Sequence, residues 1–269
     1  MFKTSDGCTI AYTIHPAQNR NASRVVLIHS LALDSSIWDG VIARLDGRAE
    51  VLTYDCRGHG RSARPAMPFT TDLFARDLRE LLDHVGWPEI LIAGCSMGGC
   101  VAQAFAAQYP SRVSALALID TTAWYGDDAL KAWRDRASAA QTKGLAALVD
   151  FQITRWFGDS FRASHPDVVR SVTGVFLAND VNCYASSCML LGTADLRSAL
   201  PSFRMPAAIV VGEEDYATPL NAAQELHQAI KGSTLTVLAK ARHLTPIECP
   251  DQIASELLAL TRRASSTHD

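Results

Sequence analysis

A short apolar strand runs into a serine held between glycines, and a helical stretch follows. Ile90-Leu91-Ile92-Ala93 reads as the strand and Gly94-Cys95-Ser96-Met97-Gly98-Gly99 as the turn. Val101–Tyr109, closed by Pro110, reads as an alanine-rich helix. Gly94, Ser96 and Gly98 form a G-x-S-x-G pattern. Five residues of that kind recur in ordinary turns, so the strand before and the helix after give the pattern its weight. A sharp strand-to-helix turn lifts the serine hydroxyl above the edge of a sheet. Its flanking glycines leave space where side chains would collide. The helix beginning at Met97 points its free N–H groups toward developing negative charge. Ser96 is therefore the expected nucleophile.

The rest of the chain supplies a matching frame. Arg24–Ile28, Glu50–Tyr54 and Val113–Ile119 are short, β-branched and apolar, and read as further strands. A helical stretch lies near Ser36–Leu45. In Thr71–Val85, Leu78, Leu81, Leu82 and Val85 recur at helical spacing, and Gly86 and Pro88 end that helix. Strand and helix alternate in this way four times. That predicts an α/β fold with a mostly parallel central sheet flanked by helices on both faces. Strands without polar alternation fit a sheet covered on both sides.

After Asp120 the pattern changes. Residues 122–201 read as helix and loop, with eight Lys/Arg and eight Asp residues and no clear core strand. The alternation resumes with a strand at Ala207–Val211, a helix at Leu220–Ile230, a strand at Thr234–Leu238 and a helix at Gln252–Leu260. The expected organisation is a core of residues 1–121 and 202–269, interrupted by a helical cap, 122–201, inserted after the sixth strand. The tail Ala264–Asp269 reads as small, polar and frayed.

Composition excludes other classes. The 269 residues are 48% hydrophobic and carry a net charge of -3 without a basic segment, so a nucleic-acid partner is not expected. No secretory leader or bilayer-length apolar run is visible, and no membrane partner is expected. Seven scattered cysteines contain no CxxC pair. They read as reduced, mostly buried thiols in a cytoplasmic protein. No metal or cofactor is called for, and the partner is a small-molecule substrate. The phosphate-loop spacing is absent from Asp55-Cys56-Arg57-Gly58-His59-Gly60-Arg61-Ser62. That segment reads as a tight structural turn beside the nucleophile.

A serine hydroxyl needs a base. His243, after the strand Thr234–Leu238, is the expected one; His29 and His59 sit in loops nearby, and the remaining histidines lack such a placement. The acid should lie beyond a strand end, in the chain order serine, acid, histidine. Asp215 fits; Asp120, Glu213 and Glu214 are its rivals. Two N–H donors should hold the oxyanion. Those of Met97 and of Leu31, in the loop His29-Ser30-Leu31-Ala32, are the candidates.

With these residues the chain resembles the α/β-hydrolase superfamily over nearly its full length. Within it the chain resembles 3-oxoadipate enol-lactonases. That likeness is carried by Asp34-Ser35-Ser36-Ile37-Trp38, by Trp133 with Arg136, and by Arg155-Trp156-Phe157. Tyr184-Ala185-Ser186-Ser187-Cys188, Ala194-Asp195-Leu196-Arg197 and Gly212–Pro219 complete it. Two positions depart from the family. His29-Ser30-Leu31-Ala32 stands where Asn-Ser-Leu-Gly is frequent, and Cys183 stands where glycine is expected. The resemblance implies an α/β-hydrolase fold and hydrolysis of a carboxylate-bearing enol-lactone in aromatic catabolism. An esterase, amidase or C–C hydrolase on another small substrate, and a ligand-sensing homologue, are the competing readings. Arg136 or Arg155 could clamp a carboxylate. Trp133, Trp156 and Tyr184 could line an apolar pocket beneath the cap.

Overall fold

Val25, Val26, Leu27 and Ile28 are consecutive and all buried, which a strand achieves only when both faces of its sheet are covered. The computed structural model describes residues 1–266. Its strands are β1 (Phe2–Lys3), β2 (Thr9–Ile10), β3 (Tyr12–His15), β4 (Arg24–Ile28), β5 (Glu50–Tyr54), β6 (Ile90–Cys95), β7 (Val113–Ile119), β8 (Ala207–Gly212) and β9 (Thr234–Leu238). Among the described residues seven of them form one sheet in the order β3-β5-β4-β6-β7-β8-β9. All its pairings are parallel except that of β3 with β5.

Helices α1 (Asp39–Leu45), α2 (Thr71–Val85) and α3 (Met97–Gln108) belong to the first half of the core. The cap contains α4 (Ala129–Lys143), α5 (Val149–Trp156), α6 (Asp159–Ser164), α7 (Pro166–Leu177) and α8 (Val181–Thr193). The core then closes with α9 (Leu220–Ala229), α10 (Thr245–Glu248) and α11 (Pro250–Ser265). Helix α1 packs on α11, and α2 packs on α3.

The register places the site. Ile28 on β4 lies opposite Gly94 on β6, and Cys95 lies opposite Ile119 on β7. The loops after β4 and β6 therefore leave the same edge of the sheet side by side. Because β4 is central, the chain turns one way to β5 and the other way to β6. A crevice opens at such a switch point, outside the carboxyl ends of the strands.

Several details differ from the sequence reading. The cap follows β7, the seventh strand in chain order, because the N-terminal segment adds three short strands. Of these, β3 is a half-exposed antiparallel edge strand of four residues, too short for a firm period-2 signal. The opposite edge, β9, is also largely open. Helix α3 starts at Met97, immediately after the serine, as the turn required, and its first turn precedes the alanine-rich stretch read from Val101. Helix α11 continues through Ser265, where a frayed tail was expected. Ala264 extends the buried face of Leu257 and Leu260, and Arg263 donates to the carbonyls of Ala207 and Gly232. The rest of that expected tail, residues 267–269, lies outside the described residues.

The glycine-rich turn after β5 is structural, as its composition suggests. Arg57 is almost wholly buried and pairs with Asp77 at 2.6 Å and with Asp6 at 2.9 Å. Asp55 accepts the backbone N–H groups of Ser35 and Arg61, tying the turn to the segment before α1.

Candidate active site

Ser96 occupies a backbone conformation, φ 55° and ψ -115°, that non-glycine residues rarely adopt. Such a conformation costs on the order of 1–3 kcal/mol and persists only where the surroundings enforce it. Here the Ser96 N–H donates to Ile119 on β7, and its carbonyl accepts from Thr121 Oγ1 at 2.7 Å. The flanking glycines have a steric cause. A Cβ on Gly94 would stand 2.1 Å from the Gly98 carbonyl oxygen, and one on Gly98 would stand 2.3 Å from that of Ile28. The turn can be this tight only without side chains at both positions.

Ser96 Oγ lies 2.8 Å from His243 Nε2, and His243 Nδ1 lies 2.8 Å from Asp215 Oδ2. All three side chains are buried but border a cavity or one another. Asp215 sits in the loop after β8. Its Oδ1 accepts the N–H groups of Ala217 and Thr218, and its Oδ2 accepts the Thr218 hydroxyl. Burial pushes this carboxyl up, but the charge of His243 and the donors from His243 and Thr218 outweigh it. Asp215 is thus held below the ordinary carboxylate range.

Asp120 is placed otherwise. It accepts from the Gly212 N–H and from both the N–H and hydroxyl of Thr245, and makes no bond to His243. Burial and the nearby Asp215 charge raise its carboxyl well above the usual range. Glu213 and Glu214 are exposed; Glu213 accepts the Lys240 N–H.

Met97 opens α3, so its N–H has no carbonyl one turn earlier to bond. Leu31 lines the cavity beside Ser30 and Ser96. Behind that loop, His29 Nδ1 donates to the Ser30 carbonyl at 2.8 Å, and Nε2 accepts the Cys56 N–H at 2.8 Å. Only a neutral imidazole satisfies both bonds. The ring of His59 lies 5.1 Å away, and its Nδ1 meets the Arg57 carbonyl at 3.0 Å. Burial lowers both histidines, His59 to about 3 from an ordinary 6.5.

Protons therefore bind the unfolded chain more readily than the folded one below pH 6.5. Stability is expected to fall with acid from that point, by about 1.4 kcal/mol per pH unit for His59, with His29 acting in the same direction. Urea denaturation between pH 7 and 5, above the main carboxylate range, checks this; a flat profile would contradict it.

The cavity at Ser96 has two parts. An inner chamber of ≈30 Å³ is bordered by Ser30, Ser96, Tyr125, Gln152 and His243. A vestibule of ≈440 Å³ lies outward between α4, α5 and the segment before α4, and shares Trp133, Arg136 and Arg155 with the chamber. Trp156 borders the chamber.

Tyr184 does not line the cavity. It is buried behind Arg136 and accepts its Nε–H at 2.7 Å. Arg136 also stacks over Trp133 at 4.8 Å, and Arg155 over Phe151 at 4.9 Å. Neither arginine pairs with a carboxylate among the described residues, whereas Arg162, Arg170 and Arg197 of the same cap do. Burial, then the charge of Arg136, lowers the proton affinity of Arg155. Tyr125, Phe151 and Gln152 escape sequence reasoning, because no motif marks a cap residue whose direction is set by helix packing.

The cap is stitched to the catalytic edge. Leu244 donates to the Trp156 carbonyl, and Arg242 to those of Thr154 and Phe157. Among the described residues no group of three or more His, Cys, Asp or Glu side chains is arranged to hold a metal ion. Among the described residues no helix is long and apolar enough to cross a membrane.

A parallel sheet, a serine on a strained turn and a histidine–carboxylate pair at the same edge together define a protein class. Residues 23–250 match the family model described as the alpha/beta hydrolase fold, and the chain belongs to that family. Among curated relatives it is 32% identical to 3-oxoadipate enol-lactonase 2 of Acinetobacter baylyi, over 90% of each chain. It is 26% identical to a pimeloyl-[acyl-carrier protein] methyl ester esterase of Aliivibrio salmonicida, over 87% of this chain and 90% of the relative. Among solved structures it is similar to the enol-lactonase of Burkholderia xenovorans, with a TM-score of 0.89 and 34% identity over 94% and 96% of the two chains. A thermophilic esterase of Thermogutta terrifontis gives a TM-score of 0.90 at 26% identity, over 97% and 96%.

Proposed function

We propose that this protein is a serine hydrolase that opens a small carboxylate-bearing enol-lactone, 3-oxoadipate enol-lactone to 3-oxoadipate, in aromatic catabolism. The observation that carries the reading is the pair Arg136 and Arg155, both unmatched by carboxylates, bordering the cavity that holds Ser96. Two uncompensated cations in a half-enclosed site favour an anionic ligand, and guanidinium groups suit a carboxylate. The similarity to enol-lactonases supports the same substrate class.

In this mechanism Ser96 Oγ attacks the lactone carbonyl carbon while His243 Nε2 takes its proton. Asp215 holds the imidazole in the required tautomer and stabilises its cation. The N–H groups of Met97 and Leu31 receive the oxyanion. Collapse breaks the bond from the carbonyl carbon to the ring oxygen. That oxygen leaves as an enol, taking the proton from His243, and rearranges to the ketone. The acyl group remains on Ser96. His243 then draws a proton from water, whose oxygen attacks the ester; the second carboxylate departs and Ser96 regains its proton.

Steady-state hydrolysis of 3-oxoadipate enol-lactone by the purified protein tests the proposal. The expected kcat/KM exceeds about 10⁴ M⁻¹s⁻¹. Arg155→Met is expected to lower it about 10- to 100-fold, chiefly through KM, because charged hydrogen bonds are typically worth about 1.5–3 kcal/mol. A negligible rate on the lactone, with aryl esters still cleaved through Ser96, would overturn the substrate and point toward an ester.

A further inference from the structure

Gln152 is a polar side chain only 2% exposed, yet it makes no hydrogen bond to any described residue. Buried amides without partners are uncommon, because burial strips them of water with nothing in return. Gln152 instead borders the inner chamber, together with Ser96, His243 and Arg155. It stands on α5, where Gln152, Arg155 and Trp156 follow the three- and four-residue spacing of one helical face. Arg136 and Arg155 border both chamber and vestibule, while Gln152 borders the chamber alone.

We infer that Gln152 is a specificity-determining residue that reads the acyl part of the substrate, its amide N–H donating to an acyl-chain carboxylate that Arg155 neutralises. Charge and hydrogen bond then come from one rigid helix, a turn apart, so the carboxylate is fixed in direction as well as attracted. An alkyl acyl group leaves the amide unpaired, and a site built around a buried polar group discriminates against such ligands. This inference rests on the reading that the site takes carboxylate-bearing substrates.

The experiment compares kcat/KM for mono-p-nitrophenyl glutarate with that for p-nitrophenyl butyrate. The wild-type protein is expected to prefer the glutarate. In Gln152→Leu the ratio of the two values is expected to fall about 10- to 100-fold, the range typical of a hydrogen bond to a charged group. In Gln152→Glu, where a carboxylate would face the acyl-chain carboxylate, it is expected to fall further. Melting temperatures separate these effects from loss of folding. A wild-type preference that survives both substitutions in folded protein would overturn the role of Gln152 and leave the carboxylate reading standing. A wild-type protein with no preference for the glutarate would overturn that reading and this inference together.

Discussion

Ser96→Ala is expected to lower kcat by about 10⁶-fold, and adding His243→Ala to it is expected to cost almost nothing more. In the proposed mechanism the two residues form one device: the hydroxyl needs the base that lies 2.8 Å away at His243 Nε2, and the imidazole has no proton to take without the hydroxyl. Groups that act as a unit lose their effect together, so single and double variants should converge. What survives is the contribution of the oxyanion donors and the binding site, on the order of 10³–10⁴ over water. Because Ser96 sits at a strained φ, alanine at this position is also conformationally disfavoured, so melting curves should accompany the kinetics. Losses that added in the double variant would show that serine and histidine act separately, and would remove the acyl-enzyme from the mechanism.

Asp215→Asn is expected to lower kcat by about 10⁴-fold while Asp120→Asn lowers it far less. Asp215 accepts from His243 Nδ1 and is itself fixed by two backbone N–H groups and the Thr218 hydroxyl. An amide in that frame must present its NH₂ group either to the histidine or to those backbone donors. Either choice breaks a bond and favours the wrong imidazole tautomer. Asp120 touches neither serine nor histidine; it joins the ends of β7 and β8 to the first turn of α10. Its replacement should appear as a loss of about 1–3 kcal/mol in urea denaturation, the cost of one buried group left unsatisfied. The reverse pattern of activities would make Asp120 the acid.

Local chemistry made much of this site legible before any fold was known. The glycines around Ser96 are demanded by backbone contacts near 2 Å, a constraint strict enough to leave a mark in the sequence. The apolar runs of β4 and β6 announce burial on both faces, and helix α2 was readable to its ends from its periodicity and its closing glycine. The order Ser96, Asp215, His243 follows from topology, because each residue lies just beyond the carboxyl end of a strand.

Other assignments needed distances. Asp120 and Asp215 both follow strands, and chain order favours Asp215 without excluding Asp120; the packing of the loop containing His243 brings Asp215 alone of the two to the imidazole. Tyr184 reads as a pocket aromatic, yet helix α8 turns it behind Arg136, so its contact is with a cap residue and not with the cavity. The short edge strand β3 exists because β5 offers it a partner, a condition its four residues do not encode. Gln152 carries no motif at all.

Chain-local steric and periodic constraints determined, from the sequence alone, the sheet, the serine turn and the candidate triad. Which cap side chains face Ser96, which arginines lack a carboxylate and which polar side chains border the cavity were decided by tertiary structure. Those properties belong to the relative placement of helices, and the same residues would read identically in any other packing.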